Sequence, residues 1–282
     1  MKWVPRLPAE PGELAAYREA HPDDANASGT DAKSAWNRFR DDPAFKQLRD
    51  ELVRIQQGLC VYCEQRVTSS ATGELILLDQ QIEHVLPKSG GPGRTLDWTN
   101  LALCCAGGCY KFREEPTRYR PGKNSSCGQT KADGLLEPGC DPREFPLLFR
   151  VVDVGMNGKI AANSAACQTA GISPQALDRT INDTLNLNCE RLRWARAQVL
   201  EDVRTWLVPV LSSLLDASHL TDEKKAQFLL LLIEGRLRPD RYGHLRAFWT
   251  AERQYLEPQS DTWITQNAQM FGYPARATKD ET

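Results

Sequence analysis

Residues 59–64 read LCVYCE, residues 82–91 read IEHVLPKSGG and residues 99–105 read TNLALCC. Cys60 and Cys63 in the first stretch form a C-x-x-C motif, which places two thiolates on one side of a tight turn at the bite of a tetrahedral zinc. The chain has nine cysteines, and six of them fall between residues 60 and 127. An odd total of cysteines with most of them clustered indicates metal ligation rather than disulfide bonds in a reducing compartment.

The second half of such a zinc site has several candidates. Spacing alone allows any of four later cysteines, namely Cys104, Cys105, Cys109 and Cys127. Residues 58–150, which contain them, are rich in Cys, Gly and Pro, and carry two strand-like runs, ELILLDQQIEH at 74–84 and TNLALCC at 99–105. A loop-rich segment with little apolar content needs a metal to hold it together. We therefore predict a zinc-stapled domain here.

Helical patterns flank this domain on both sides. Within residues 34–57 apolar side chains recur at helical spacing and the pattern breaks at Pro43, which predicts two short helices. From residue 174 onward, apolar stripes of helical period follow Ser173 and Thr221, which are candidate helix caps. We predict an α+β protein with an N-terminal helical lead-in (1–57), a zinc-containing domain (58–150) and a mainly helical C-terminal domain (151–282).

The composition is typical of a folded, water-soluble protein, with 41% hydrophobic and 26% charged residues and a mean hydropathy of -0.50. A formal net charge of -2 excludes a chain that coats nucleic acid by charge alone, so any nucleic-acid contact must be local. The first residues lack the apolar core of a signal peptide, and the longest apolar run, 228–233, is too short to span a bilayer. These features predict a cytoplasmic protein that does not contact membranes.

Glu83 and His84 end the first strand-like run, and Asn100 follows sixteen residues after the histidine. Neighbouring side chains at a strand end point in different directions, so the carboxylate can hold a hard divalent cation while the imidazole acts as a general base. A Glu-His pair alone is usually a surface feature. Its place between two zinc half-sites, ahead of Gly-Gly and Asn-Leu, favours a catalytic role.

These stretches, together with CGQTKAD at 127–133, resemble the zinc-containing HNH endonucleases. The layout is similar to that of PtuB, the HNH subunit of Septu-type and retron-linked anti-phage systems. The resemblance implies a ββα-metal finger whose structural zinc ligands are Cys60, Cys63, Cys105 and Cys127. Cys105 is preferred to Cys104 because it lies five residues after Asn100.

The resemblance also implies the catalytic roles. Glu83 would bind a catalytic Mg²⁺ or Mn²⁺, His84 would be the base, and Asn100 would brace the loop between the two strands. Simple HNH motifs carry Asn or His directly after the last zinc cysteine, where this chain has Gly128. Asp133 or Gln129 would then have to complete the metal site, and the anionic carboxylate is the better ligand for a hard cation.

The reaction implied is metal-dependent hydrolysis of phosphodiester bonds in DNA. Lys88 is a candidate phosphate contact. So is Lys131, at the end of the segment 111–131, which contains six basic and two acidic residues and is otherwise a solvated loop. Arg191, Arg193 and Arg196 lie on a predicted helix that either contacts nucleic acid or forms a solvated face.

In the resembled family the helical flanks dock against an ABC or SMC-like ATPase of the PtuA type. This chain has no G-x-x-x-x-G-K-[ST] loop, so ATP use would belong to that partner. Two alternatives remain open. The same site could act on RNA such as tRNA, because metal and base contact only the phosphodiester. Alternatively, the departure at Gly128 could leave a non-catalytic, zinc-stapled module that binds nucleic acid or serves as an adaptor.

Overall fold

The N-terminal part is helical in the computed structural model, which describes residues 2, 4–144 and 151–271. It contains α1 (Gly12–Ala20), α2 (Pro22–Ala25), α3 (Asp31–Arg40) and α4 (Pro43–Ile55). The predicted break at Pro43 is confirmed, because Asp42 caps α4 by accepting a hydrogen bond from the Ala44 amide at 2.8 Å. Leu48 and Leu52 on the inner face of α4 are buried in the core.

A short antiparallel hairpin lies at the centre of the molecule. Strand β1 (Gln80–His84) pairs with β2 (Leu101–Cys105), so that Glu83 faces Ala102 and His84 faces Leu101. The predicted strand at 74–84 is wrong in its first half. Residues Leu77–Asp79 form a 3-10 turn, and Leu77 and Leu78 are 63% and 62% exposed because no neighbouring strand pairs with them there.

The chain between β2 and the end of the cysteine-rich region has little regular structure. It contains helix α5 (Cys109–Glu114) and the single turn α6 (Gly128–Lys131). Cys127, immediately before α6, has a positive φ of 58°, and Ala132, immediately after it, has a φ of 47°. Both residues are in a backbone region that disfavours side chains, so the surrounding structure must hold this turn in place.

The C-terminal part is mainly helical. A small hairpin that the sequence patterns did not indicate comes first, formed by β3 (Val152–Val154) and β4 (Ile160–Ala162). The helices that follow are α7 (Ser164–Ala170), α8 (Pro174–Arg179), α9 (Glu190–Asp216), α10 (Asp222–Leu237), α11 (Trp249–Tyr255) and α12 (Gln259–Gln266). Ser173 and Thr221 cap α8 and α10 as predicted. Among the described residues, none of the helices combines the length and the apolar character that crossing a membrane requires.

One large apolar core joins all three parts of the chain. It includes Leu48 from α4, Leu103 from β2 and Leu192 from α9. Buried Glu64 adds a polar link, since its carboxylate accepts hydrogen bonds from the Lys2 amide at 2.5 Å and from the Thr250 amide at 2.7 Å. The central hairpin is therefore packed between the N-terminal and C-terminal helices.

Candidate active site and cysteine cluster

Five buried cysteine side chains converge at the end of β2. The sulfurs of four of them lie within 4.8 Å of one another, and these are Cys60, Cys104, Cys105 and Cys127. The Cys63 sulfur lies outside that group but 3.8 Å from the Cys105 sulfur. The group of four closest sulfurs therefore includes Cys104, whereas the predicted ligand set includes Cys63 instead. Both members of the Cys104-Cys105 doublet reach the cluster because Cys105 is the last residue of its strand, where the alternation of side chains between faces ends.

The cluster has the chemistry of a structural zinc site. The Cys60 sulfur lies 3.7 Å from that of Cys104 and 3.9 Å from that of Cys127. Four sulfurs at about 2.3 Å from one tetrahedral zinc are separated by similar distances. Thiol hydrogen bonds, chiefly from Cys104, lower the pKa of Cys105 to about 5, which favours the thiolate that a metal binds. This buried group is able to bind a structural metal such as zinc.

The loop that carries Cys127 is held by the first turn of α9. The Arg191 guanidinium donates to the Ser126 hydroxyl at 2.7 Å and to the Gln65 side chain at 2.9 Å. Arg196, one turn on, donates to the carbonyls of Gly158 and Leu187. Both arginines are buried. They therefore neither contact nucleic acid nor form a solvated face, which are the two roles predicted from the sequence. They join the C-terminal helix to the loops around the cysteines.

A cavity of about 580 Å³ opens on the outer side of β1. Glu83 and His84 both line it, and so do Lys88, Gln129 and Asp133. The structure thus brings together most of the site residues that the sequence predicts. The N-terminal helices supply the opposite wall, which the sequence patterns did not indicate.

Glu83 is the buried carboxylate of this cavity. Its Oε1 accepts an ion-paired hydrogen bond from the Lys131 ammonium at 2.9 Å and a hydrogen bond from the Tyr62 hydroxyl at 3.3 Å. Burial raises the pKa of Glu83, and the nearby Lys131 charge opposes that rise. The buried carboxylate therefore requires a nearby positive charge to balance its own.

His84 is fixed in one orientation by two contacts. Its Nε2 lies 2.9 Å from the Thr95 carbonyl oxygen, and its ring meets the Trp36 ring edge to face with centroids 4.4 Å apart. A carbonyl oxygen only accepts hydrogen bonds, so Nε2 carries the proton and Nδ1 carries the lone pair. Burial lowers the pKa of His84 to about 4, and the imidazole is neutral at pH 7. A neutral ring with a lone pair on Nδ1 is able to accept a proton.

Asn100 closes the loop between the two strands. Its Oδ1 accepts from the Leu86 amide at 2.7 Å, and its Nδ2 donates to the Leu86 carbonyl at 2.9 Å and to the Arg94 carbonyl at 3.3 Å. The side chain is buried and acts as a clamp across the base of the loop. It therefore helps to hold the segment that carries Thr95, the partner of His84. The Thr95 hydroxyl also donates to the Ala27 carbonyl at 3.1 Å.

The space beside the Glu83 carboxylate exists because residue 128 is a glycine. A Cβ atom at Gly128 would clash with Glu83 Oε2 and with the Gln81 amide nitrogen. Gln129 donates from Nε2 to the Gln81 side-chain oxygen at 2.9 Å, and Asp133 is exposed at the rim. Carboxylate and amide oxygens around an open space suit Mg²⁺ or Mn²⁺, which retain several water ligands.

The two predicted phosphate contacts have different positions. Lys88 is half-buried and lines the cavity. Lys131 is buried, pairs with Glu83 and also donates to the His84 carbonyl at 3.2 Å. The prediction that Lys131 contacts substrate is therefore wrong in this structure, because its ammonium is turned inward to balance the carboxylate.

Hard-ion donors and a neutral histidine thus line one cavity, beside a buried cluster of cysteines that is able to bind a metal. No family model matches the chain. It is similar to the Escherichia coli protein named "Retron Ec83 putative HNH endonuclease", at 25% identity over 199 residues covering 62% of this chain and 74% of the relative.

A second relative has the corresponding name, "Retron Vc95 putative HNH endonuclease", and comes from Vibrio cholerae serotype O1 biovar El Tor. The identity is 31% over 104 residues, and the match spans 34% of this chain and 41% of the relative. The chain is thus similar to two proteins that both carry the name "putative HNH endonuclease".

Proposed function

We propose that this protein is a metal-dependent HNH endonuclease that hydrolyses phosphodiester bonds of DNA. The observation that carries the proposal is the pairing of a neutral His84, with its lone pair on Nδ1, and the buried Glu83 carboxylate in one cavity. A general base must be unprotonated and oriented before the substrate arrives, and both conditions hold for His84.

His84 takes a proton from the attacking water through Nδ1, while the Thr95 carbonyl holds Nε2 and keeps the ring in place. Asn100 holds the loop that presents Thr95, so it acts as a positioning residue. Lys88 on the cavity wall contacts a phosphate next to the one that is cleaved.

Glu83, with Asp133 or Gln129, would hold the catalytic Mg²⁺ or Mn²⁺. When bound there, such an ion would supply positive charge to the scissile phosphate and the leaving oxygen. The cysteine cluster would hold a structural zinc, because four sulfur ligands leave no open coordination position.

We infer that the enzyme works in the cytoplasm as the effector of an anti-phage defence complex of the Septu or retron-linked kind. The names of the two relatives support the retron link. An ABC or SMC-like ATPase would be the partner. Exposed apolar residues on α9 and α10 favour such a protein contact, with Leu215 79% exposed, Leu231 60% and Val208 55%.

The substrate is tested with purified protein, alone and with the ATPase, on plasmid DNA and on total tRNA. Each substrate is incubated with Mg²⁺, with Mn²⁺ or with EDTA. Metal-dependent cleavage of the plasmid is the expected result. Cleavage of tRNA alone would assign the same site to RNA, and no cleavage by zinc-loaded, folded protein in any arm would favour a non-catalytic adaptor.

A further inference from the structure

The wall of the cavity that faces Glu83 and His84 comes from α3 and α4. Trp36 on α3 contacts the His84 ring, and its own ring centroid is 5.8 Å from that of Phe45 on α4. Helix α3 therefore contacts the catalytic histidine proposed above through Trp36, and α4 packs against Trp36 through Phe45.

Each aromatic residue of this wall has an arginine one turn further along its helix. Arg40 follows Trp36 by four residues and Arg49 follows Phe45 by four, so each arginine shares a helix face with its aromatic neighbour. All four residues line the cavity. The wall therefore presents two guanidinium groups beside two aromatic rings.

The charges of the two arginines are poorly balanced within the protein. The Arg49 side chain is only 18% exposed, and its ion-pair contact with Asp50 is long, at 4.0 Å. Asp50 also accepts a hydrogen bond from Lys46 at 2.8 Å. Arg49 Nε is buried and has no hydrogen-bond partner among the described residues. Arg40 is exposed, and the described part of the chain gives it no ion pair or side-chain hydrogen bond.

A buried guanidinium nitrogen without a partner at the wall of a cavity leaves a hydrogen-bond donor available to a ligand. Guanidinium groups match phosphate oxygens in shape and charge, and Lys88 adds a third positive charge to the same cavity. We propose that Arg40 and Arg49 bind phosphate groups of the substrate backbone, on either side of the phosphate that His84 and Glu83 address. This inference rests on the proposed function and assigns the N-terminal helices to substrate binding.

The test measures binding without cleavage, in a His84→Ala protein. A short fluorescein-labelled DNA strand and the matching duplex are titrated by anisotropy at several salt concentrations. Arg49→Ala is expected to weaken binding about 10-fold, because it removes a charge-assisted contact, and to lower the slope of log affinity against log salt by about 1. Arg40→Ala is expected to act in the same direction.

Arg54→Ala is the matched control, because Arg54 lies on the same helix, is exposed and pairs with Glu51 at 2.8 Å. It is expected to bind within about 2-fold of the parent protein. Arg49→Lys keeps the charge but loses the planar guanidinium group that can donate two hydrogen bonds to one phosphate. Its DNA affinity should therefore lie between those of the parent and Arg49→Ala. Thermal melting of every variant shows that each is folded.

The outcomes separate this inference from the proposed function. If the His84→Ala parent binds DNA and both arginine variants bind as well as Arg54→Ala, the assignment of the two arginines is overturned and the nuclease proposal is unaffected. If the parent binds no nucleic acid at all, the proposed function fails and the inference fails with it.

Discussion

At the level of single residues, the unusual feature of the site is that a lysine and a glycine occupy positions close to the proposed metal ligand. Lys131 pairs with Glu83, and Gly128 leaves open the space next to the same carboxylate. Both come from the short segment after Cys127, where simple HNH motifs carry a further metal ligand. The charge and the free volume around Glu83 are therefore set by this one turn.

The Lys131-Glu83 pair is tested by a double-mutant cycle. Lys131→Met leaves a buried carboxylate without its partner and is expected to lower the free energy of unfolding by about 3 kcal/mol. Glu83→Gln in that background should restore part of the loss, with a coupling energy on the order of 1 to 3 kcal/mol. Denaturant unfolding of the four proteins measures it. Additive losses would show that the two side chains do not interact.

Gly128→Ala tests the space beside Glu83. The new methyl group would clash with Glu83 Oε2, so the carboxylate must move and cleavage is expected to fall about 10- to 100-fold. Gly235→Ala is the control, because a Cβ there meets nothing within 4 Å. Initial cleavage rates of both variants give the answer. Equal rates in the two would mean that the glycine is not needed for the carboxylate position.

At the level of elements, the hairpin and the cysteine loops depend on each other. Strand β2 carries two of the clustered cysteines and pairs with the strand that ends in Glu83 and His84. A metal in the cluster would therefore stabilise the backbone on which the catalytic residues lie.

Zinc content tests the cluster. Cys127→Ser is expected to abolish stoichiometric zinc binding and to lower the melting temperature, because the buried site loses a ligand common to the predicted and the observed sets. Cys109→Ser is the control, since Cys109 is only half-buried and lies outside the cluster. Elemental analysis by mass spectrometry measures the metal. Full zinc in Cys127→Ser would contradict the assignment.

The fourth ligand is decided by comparing two further variants. The mutual sulfur distances favour Cys104, so Cys104→Ser should lose more zinc than Cys63→Ser. The reverse order would support the ligand set that the family resemblance implies.

Much of this region was predictable from the sequence. The strand at TNLALCC and the break at Pro43 depend on local spacing and local propensity, and the structure has both. Of the C-x-x-C motif, Cys60 belongs to the group of four clustered sulfurs and the Cys63 sulfur lies beside that group. The exposed Leu77 and Leu78 misled the strand prediction, because apolar composition does not show whether a neighbouring strand exists to pair with. The inward turn of Lys131 depends on a carboxylate 48 residues away in the sequence, which no local pattern contains.

At the level of the whole molecule, the three predicted segments share one apolar core, and buried Arg191 and Arg196 join the C-terminal helices to the central loops. Sequence patterns cannot distinguish such arginines from solvated ones, because the distinction depends on which loops fold back onto the helix. The same applies to the wall formed by α3 and α4, whose place opposite His84 is a matter of tertiary packing.

Glu64→Gln tests whether the segments unfold together. Glu64 accepts hydrogen bonds from residues at both ends of the described chain, and its buried carboxylate makes each of them charge-assisted. The variant is expected to lose about 1 to 3 kcal/mol of unfolding free energy in a single transition. Glu51→Gln, which alters an exposed pair with Arg54, should change it by less than about 0.5 kcal/mol. Two separate transitions in the wild-type protein would contradict a core shared by the three segments.

The measurement that tests the central claim most directly is the rate of metal-dependent nucleic-acid cleavage by wild-type protein and by His84→Ala, with zinc content and melting temperature measured on the same samples. The account predicts a loss of at least about 100-fold in the variant, with zinc and stability retained, because His84 supplies the base and not the scaffold. Equal cleavage rates in two equally folded, zinc-loaded proteins would contradict it.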